Sequence, residues 1–177
     1  MTTIVFKDGQ LAADTLAVTG NSVTYLIPHK KISLSTDKRI AYGISGMVIE
    51  PEWVPDLERA LLAFVMEHRN AKSFKAPMPK ELVDLIEHRD FILMTKDQVY
   101  TKYDGVSPDG SRFMSRLLPG EHASVGTGKL YATMACLYGH TARGAVQFAM
   151  ENDCFTYPGD IDTIKQTSLK PLPKEVK

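Results

Sequence analysis

The chain has 177 residues, 44% of them hydrophobic, and its 21 basic side chains balance 21 acidic ones. That is enough material for one domain with a full-sized core, and zero formal charge argues against bulk attraction to nucleic acid or to an anionic membrane. Cys136 and Cys154 are too few for a disulfide framework and lack metal-site spacing, and no apolar run approaches the ~20 residues of a membrane span. Met1-Thr2-Thr3-Ile4-Val5-Phe6 has no basic stretch before it, and Lys7-Asp8 cut the apolar run short, so it does not read as a signal peptide. The expectation is a cytoplasmic protein with reduced thiols.

Thr2 to Phe6, β-branched and aromatic, predicts a strand, and Asp8-Gly9 before Leu11-Ala12-Ala13 predicts a tight hairpin. A second hairpin is predicted from Lys31 to Ser45, turning at Ser35-Thr36-Asp37-Lys38. From Pro51 to Arg69, Trp53, Leu57, Leu61, Phe64 and Val65 recur at helical spacing, which predicts a helix with that stripe in the core. A shorter helix is predicted over Pro79–His88, after a loop at Lys72–Pro79. Phe91–Met94 and Val99–Tyr103 form a third hairpin, and Asp104–Ser111 reads as a loop. Ala123-Ser124-Val125 is a strand ending at Gly126-Thr127-Gly128. Helices follow over Lys129–Tyr138, closed by Gly139, and Ala142–Asn152, capped by Thr141. The end of the chain, from about residue 168, is expected to fray. Strands, helices, strands and helices in blocks predict an α+β fold with two antiparallel sheets and helices outside, in one domain over residues 1–177.

The chemistry centres on Thr2. Methionine is commonly trimmed before a small residue, and its removal exposes a free α-amine on a residue that also carries a hydroxyl. An α-amine titrates near ~8, lower beside a cation, so one residue can supply both nucleophile and base. Such a residue needs a lysine to tune the amine, a carboxylate to hold the lysine, and an amide to receive the oxyanion. Asp14, Lys31 and Gly46 stand at strand ends where each could serve. Each alone reads better as an ordinary turn or strand residue; the joint occurrence with the Thr2 start favours a site. With Met1 attached, the nitrogen of Thr2 is an amide and the mechanism is blocked.

Thr2-Thr3-Ile4-Val5, Asp8-Gly9 and Leu11-Ala12-Ala13-Asp14 resemble the opening of proteasome β subunits and of HslV, the bacterial proteasome-like peptidase. Lys30-Lys31-Ile32 resembles that family's lysine motif, Ile44-Ser45-Gly46 its oxyanion segment, and Ser124-Val125-Gly126-Thr127-Gly128 its Gly-Ser-Gly loop, with Thr127 in place of serine. Asp153 to Ile164 is similar to the HslV C-terminal segment, with Asp153 at the acid near the amine and Thr156 at the neighbouring serine position. The first hairpin is about four residues shorter than is usual in the family, an even change that preserves which side chains share a face. Leu16 stands where the family often has arginine.

The resemblance implies a four-layer αββα N-terminal-nucleophile hydrolase sandwich and a threonine peptidase using Thr2, Asp14, Lys31, Gly46, Thr127, Asp153 and Thr156. It implies no required cofactor, a structural Na or Mg ion on the backbone carbonyls of Asn152, Phe155 and Pro158, a homo-oligomeric ring acting on peptide or unfolded protein, and an ATPase unfoldase as partner. Two other readings use the same fold: a catalytically idle proteasome-like module that retains Met1, and an amidase of small molecules. The five histidines show no paired ligand spacing, and the glycine loop lacks the lysine of a phosphate-binding motif.

Overall fold

The computed structural model describes residues 2–19, 25–46, 50–71, 73–86, 89–106, 110–153 and 159–173. β1 (Thr3–Lys7) and β2 (Gln10–Asp14) form the opening hairpin. Its turn has Asp8 at φ 48° and Gly9 at φ 71°, the two positive values that match a tight turn to the twist of the strands. β3 (Leu16–Thr19) and β4 (Tyr25–Pro28) pair with each other as a separate two-stranded ribbon. β5 (Ile32–Leu34), β6 (Ile40–Ser45), β7 (Lys75–Pro77), β8 (Asp90–Thr95), β9 (Val99–Val106) and β10 (Arg112–Arg116) make a six-stranded sheet in the order β5-β6-β8-β9-β10-β7. β11 (Ala123–Gly126) and β12 (Ile161–Lys165) flank the opening hairpin in a four-stranded sheet of order β11-β1-β2-β12. Every strand pair in these sheets is antiparallel.

The helices are α1 (Val54–His68), α2 (Lys80–Ile86), α3 (Lys129–Leu137) and α4 (Ala142–Asn152). Thr141 caps α4 as its sequence predicts, its hydroxyl accepting from the Gly144 N–H at 3.2 Å, and Gly139 closes α3 at φ 91°. Trp53 departs from its predicted place in the core. It lies in a 3₁₀ turn before α1, 47% exposed, because the apolar stripe begins one turn later at Leu57.

Side-chain alternation sorts the interior into three clusters. Ile4, Phe6, Leu11, Ala13 and Val125 of the smaller sheet meet Ile32, Ala41, Ile92 and Met94 of the larger. Val5 and Ala12, on the opposite face of the smaller sheet, pack with Ala132, Ala135, Val146 and Ala149 of α3 and α4. Ile40, Tyr42, Phe91, Leu93 and Tyr100, on the opposite face of the larger sheet, pack with Leu57, Leu61, Phe64, Leu82 and Ile86 of α1 and α2. Gly43 lets Ile4 of the smaller sheet come close: a Cβ there would lie 2.7 Å from Ile4 Cγ2 and 3.2 Å from Cγ2 of its strand partner Ile32.

Several predicted boundaries are corrected. Part of the Lys72–Pro79 loop is β7, β9 continues to Val106 within the predicted Asp104–Ser111 loop, and β3, β4, β10 and β12 have no counterpart among the predicted strands. The expected fray from 168 is replaced, as far as Pro173, by a docked strap. Leu169 is buried between the sheets, Leu172 packs against the cluster between the larger sheet and α1 and α2, and Arg69 donates to the Pro173 carbonyl at 2.5 Å.

Candidate active site

The site is built at the Thr2 end of β1. Thr2 itself is 6% exposed. Its backbone nitrogen donates to Thr127 Oγ1 at 3.2 Å, and the same hydroxyl lies 3.4 Å from the Thr2 carbonyl, to which it can donate. One hydroxyl thus meets both polar backbone groups of Thr2. Gly126, paired with Thr3 across β11 and β1, has φ 95°, and a Cβ on it would lie 2.0 Å from the Thr2 carbonyl oxygen. Only glycine lets β11 end against Thr2 in this way.

Asp14 closes β2 across from the start of β1. Its Oδ1 accepts the Thr3 N–H at 2.6 Å, and its Oδ2 accepts from Lys31 Nζ. The side chains of this ion pair are 2% exposed for Lys31 and 1% for Asp14. Lys31 also donates to the Leu16 carbonyl. The carboxylate therefore ties the lysine to the peptide adjoining Thr2 through charge-assisted bonds. Burial pulls the Lys31 ammonium below its ordinary range, against the opposing pull of Asp14. Half-buried His29, two positions earlier, is pulled down by its own burial and by the Lys31 charge.

Gly46 follows β6 with φ 111°, exposed, and buried Ser45 before it brings this end of β6 to Thr2: Ser45 Oγ lies 3.2 Å from the position a Gly126 Cβ would take. Asp153, 8% exposed, ends α4 with its N–H on the Ala149 carbonyl at 2.8 Å. Asn152 holds the Phe148 carbonyl through its side chain at 2.8 Å. Thr156, Phe155 and Pro158 lie outside the described residues, as does Met1. The structure thus brings together Thr2, Asp14, Lys31 and Thr127, with the Ser45–Gly46 corner at the Gly126 turn. Sequence reading named Gly126 only as part of a loop and gave it no role in seating the Thr2 carbonyl, and it missed the Leu16 carbonyl, a backbone group that leaves no side-chain signature.

A cavity of about 440 Å³ lies elsewhere, around Asp8, Gly9, Asp97, Arg116 and Gln166 at the far end of β1. Its described lining offers no nucleophile beside a base. Among the described residues no group of three or more His, Cys, Asp or Glu is placed to hold a metal, and no helix is long and apolar enough to cross a membrane.

No protein-family model and no curated protein matches the chain. Solved structures do. HslV from Trypanosoma brucei is similar at 16% identity, covering 93% of this chain and 98% of that one, with a TM-score of 0.56. BPH from Thiobacillus denitrificans in complex with epoxomicin is similar at 18% identity, covering 96% and 99%, with a TM-score of 0.55. A second structure of BPH, at 16% identity, covers 93% and 97% with a TM-score of 0.51. At these identities the likeness is one of fold. Over nearly its whole length the chain has the α+β fold of HslV and BPH, in agreement with the resemblance carried by its motifs.

Proposed function

We propose that this chain is a threonine peptidase of the N-terminal-nucleophile kind, active once Met1 is removed. The observation that carries the reading is the Asp14 carboxylate, which bridges the Thr3 amide and the Lys31 ammonium beside a Thr2 whose nitrogen is held by Thr127. In this reading the three clusters define a four-layer αββα sandwich over one domain, residues 1–177, and the open end of the two sheets is the catalytic end.

Thr2 Oγ attacks the peptide carbonyl while the α-amine of Thr2 takes its proton. The amine passes that proton to the departing amine, leaving an ester on Thr2. Water, activated by the same amine, then cleaves the ester and restores the hydroxyl. Lys31 lowers the basicity of the amine by its nearby charge, Asp14 fixes Lys31, and the Gly46 N–H receives the oxyanion. Thr127, Asp153 and Thr156 orient the amine. Carbonyls of Asn152, Phe155 and Pro158 are the expected seat of a Na or Mg ion, which would tie those residues together. The same reading places the protein in the cytoplasm, as a homo-oligomeric ring fed with unfolded protein by an ATPase.

The test is intact mass together with turnover. A mass lacking Met1, peptide hydrolysis, and labelling of Thr2 by an epoxyketone such as epoxomicin are expected, with all turnover lost and the fold unchanged in Thr2→Ala. A mass that includes Met1 with no labelling, or wild-type turnover in Thr2→Ala, rules the reading out.

A further inference from the structure

Thr15 and Leu16, at the joint between β2 and β3, are pinned from two directions. Thr15 N–H donates to the Asp160 carbonyl at 3.1 Å, and Thr15 Oγ1 donates to the same oxygen at 3.0 Å. From the other side the His29 N–H donates to the Thr15 carbonyl at 2.6 Å. The next carbonyl along the chain, that of Leu16, receives Lys31 Nζ.

Gly159 presses on this joint. A Cβ there would lie 2.9 Å from Leu16 Cγ and 3.0 Å from Leu16 Cδ1. What demands a small residue is the close approach of Leu16.

We infer that Gly159 and Asp160 are positioning residues for Lys31: together they set the Thr15–Leu16 peptide so that the Leu16 carbonyl and Asp14 hold the ammonium at a fixed distance from Thr2. The inference rests on the peptidase reading for its consequence in catalysis. It assigns to this chain a hydrocarbon contact at Leu16, a position that can form no ion pair. A buried ammonium with two of its three N–H bonds on Asp14 and Leu16 has little freedom, so a displaced Leu16 peptide moves it. Among the described residues, Asp14 and His29 are titratable groups coupled to Lys31, and neither is altered by the substitutions below.

The experiment compares wild type, Gly159→Ala and the double variant Gly159→Ala/Leu16→Ala, the last making room for the added methyl. Two readouts are taken: kcat/KM against pH on a peptide substrate, and the Lys31 side-chain NMR resonances. Gly159→Ala is expected to lower kcat/KM about tenfold and to move the acid limb of the profile up by about half a pH unit, as the amine loses part of the nearby positive charge. The double variant is expected to return both to within about threefold and a few tenths of a unit of wild type. A merely structural defect lowers the whole profile without moving the limb, and that result overturns the inference. So does a Lys31 resonance that Gly159→Ala leaves unchanged. Absence of turnover in every form, with Lys31 resonances that shift in the single variant and return in the double, removes the peptidase reading and keeps the positioning.

Discussion

The Asp14–Lys31 pair offers the sharpest test of the site because both side chains are almost completely buried. In Asp14→Asn the side-chain oxygen still accepts the Thr3 N–H, but its amide group then points donors at an ammonium. Removing one member of a buried pair typically costs about 3–5 kcal/mol, since a charge is left without its partner. The Leu16 carbonyl still receives Lys31, which places this variant near about 3 kcal/mol. For a chain of this size that is a fall in Tm of roughly 6–12 °C. Removing both charges, in Asp14→Asn/Lys31→Met, is expected to cost less than the sum of the single changes by at least about 2 kcal/mol. The pH dependence has a defined sign. Burial holds the folded ammonium below its ordinary value, so between the folded value and the ordinary one the unfolded chain binds more protons and stability rises with pH. Asp14→Asn removes the opposing pull, lowers the folded value further and starts that rise at lower pH; Lys31→Met abolishes it. Urea unfolding of the four proteins from neutral pH to about pH 10.5 measures all of this. A cost under about 1 kcal/mol for Asp14→Asn, or additive single costs, refutes the pair as the anchor of the site.

Two further outcomes are expected. Gly43→Ala places a methyl 2.7 Å from Ile4 Cγ2 between the sheets and should cost about 1–3 kcal/mol in a thermal or denaturant melt; an unchanged melt means the sheets are not in such close contact there. On α3, Leu130, Tyr131, Met134, Leu137 and Tyr138 leave an apolar face open, with Leu137 73% and Tyr138 80% exposed. If a second copy covers that face in the proposed ring, Leu137→Glu should reduce the assembled mass in light scattering while leaving the melt of the protomer within about 0.5 kcal/mol, and an unchanged mass rules this face out as a subunit contact.

Elements with one strong periodicity were legible from the residues alone. α1 follows its apolar spacing from Leu57 onward, α4 follows its Thr141 cap, and the opening hairpin follows Asp8-Gly9. The strands that escaped notice lack that signal for physical reasons. In β12, Ile161 packs toward α3 and α4 while Ile164 faces the other sheet, because this sheet is covered on both sides. The odd spacing of its two isoleucines therefore does not read as a half-buried strand, and two residues three apart are too few to tell a strand from a helix. In β10 only Met114 is buried, so pairing with β9 and β7, and not sequence preference, makes the strand. The site shows the same division. Asp14, Lys31 and Thr127 were legible because their side chains carry the chemistry. Gly126 and the Leu16 carbonyl contribute backbone geometry, visible only once β11 and β3 are in place.

The short first hairpin is where sequence and site can be held to one another. A β hairpin can lose residues without disturbing its far end only if the loss is even, since an odd change turns every following side chain to the opposite face. Here Lys7 pairs with Gln10 and Ile4 with Ala13, so the register carries on to set Asp14 across from Thr3, whose N–H it accepts. The alternation agrees on both strands: Ile4, Phe6, Leu11 and Ala13 share the inter-sheet face, while Val5 and Ala12 share the helix face. One further residue removed from either strand would send Leu11 and Ala13 toward α4 and turn Asp14 away from Lys31. The buried ion pair and the inter-sheet core are therefore selected by the same register. A hairpin shortened by two residues per strand keeps the Thr2 end intact, because the opening turn lies at the other end of β1 from everything that Thr2 touches.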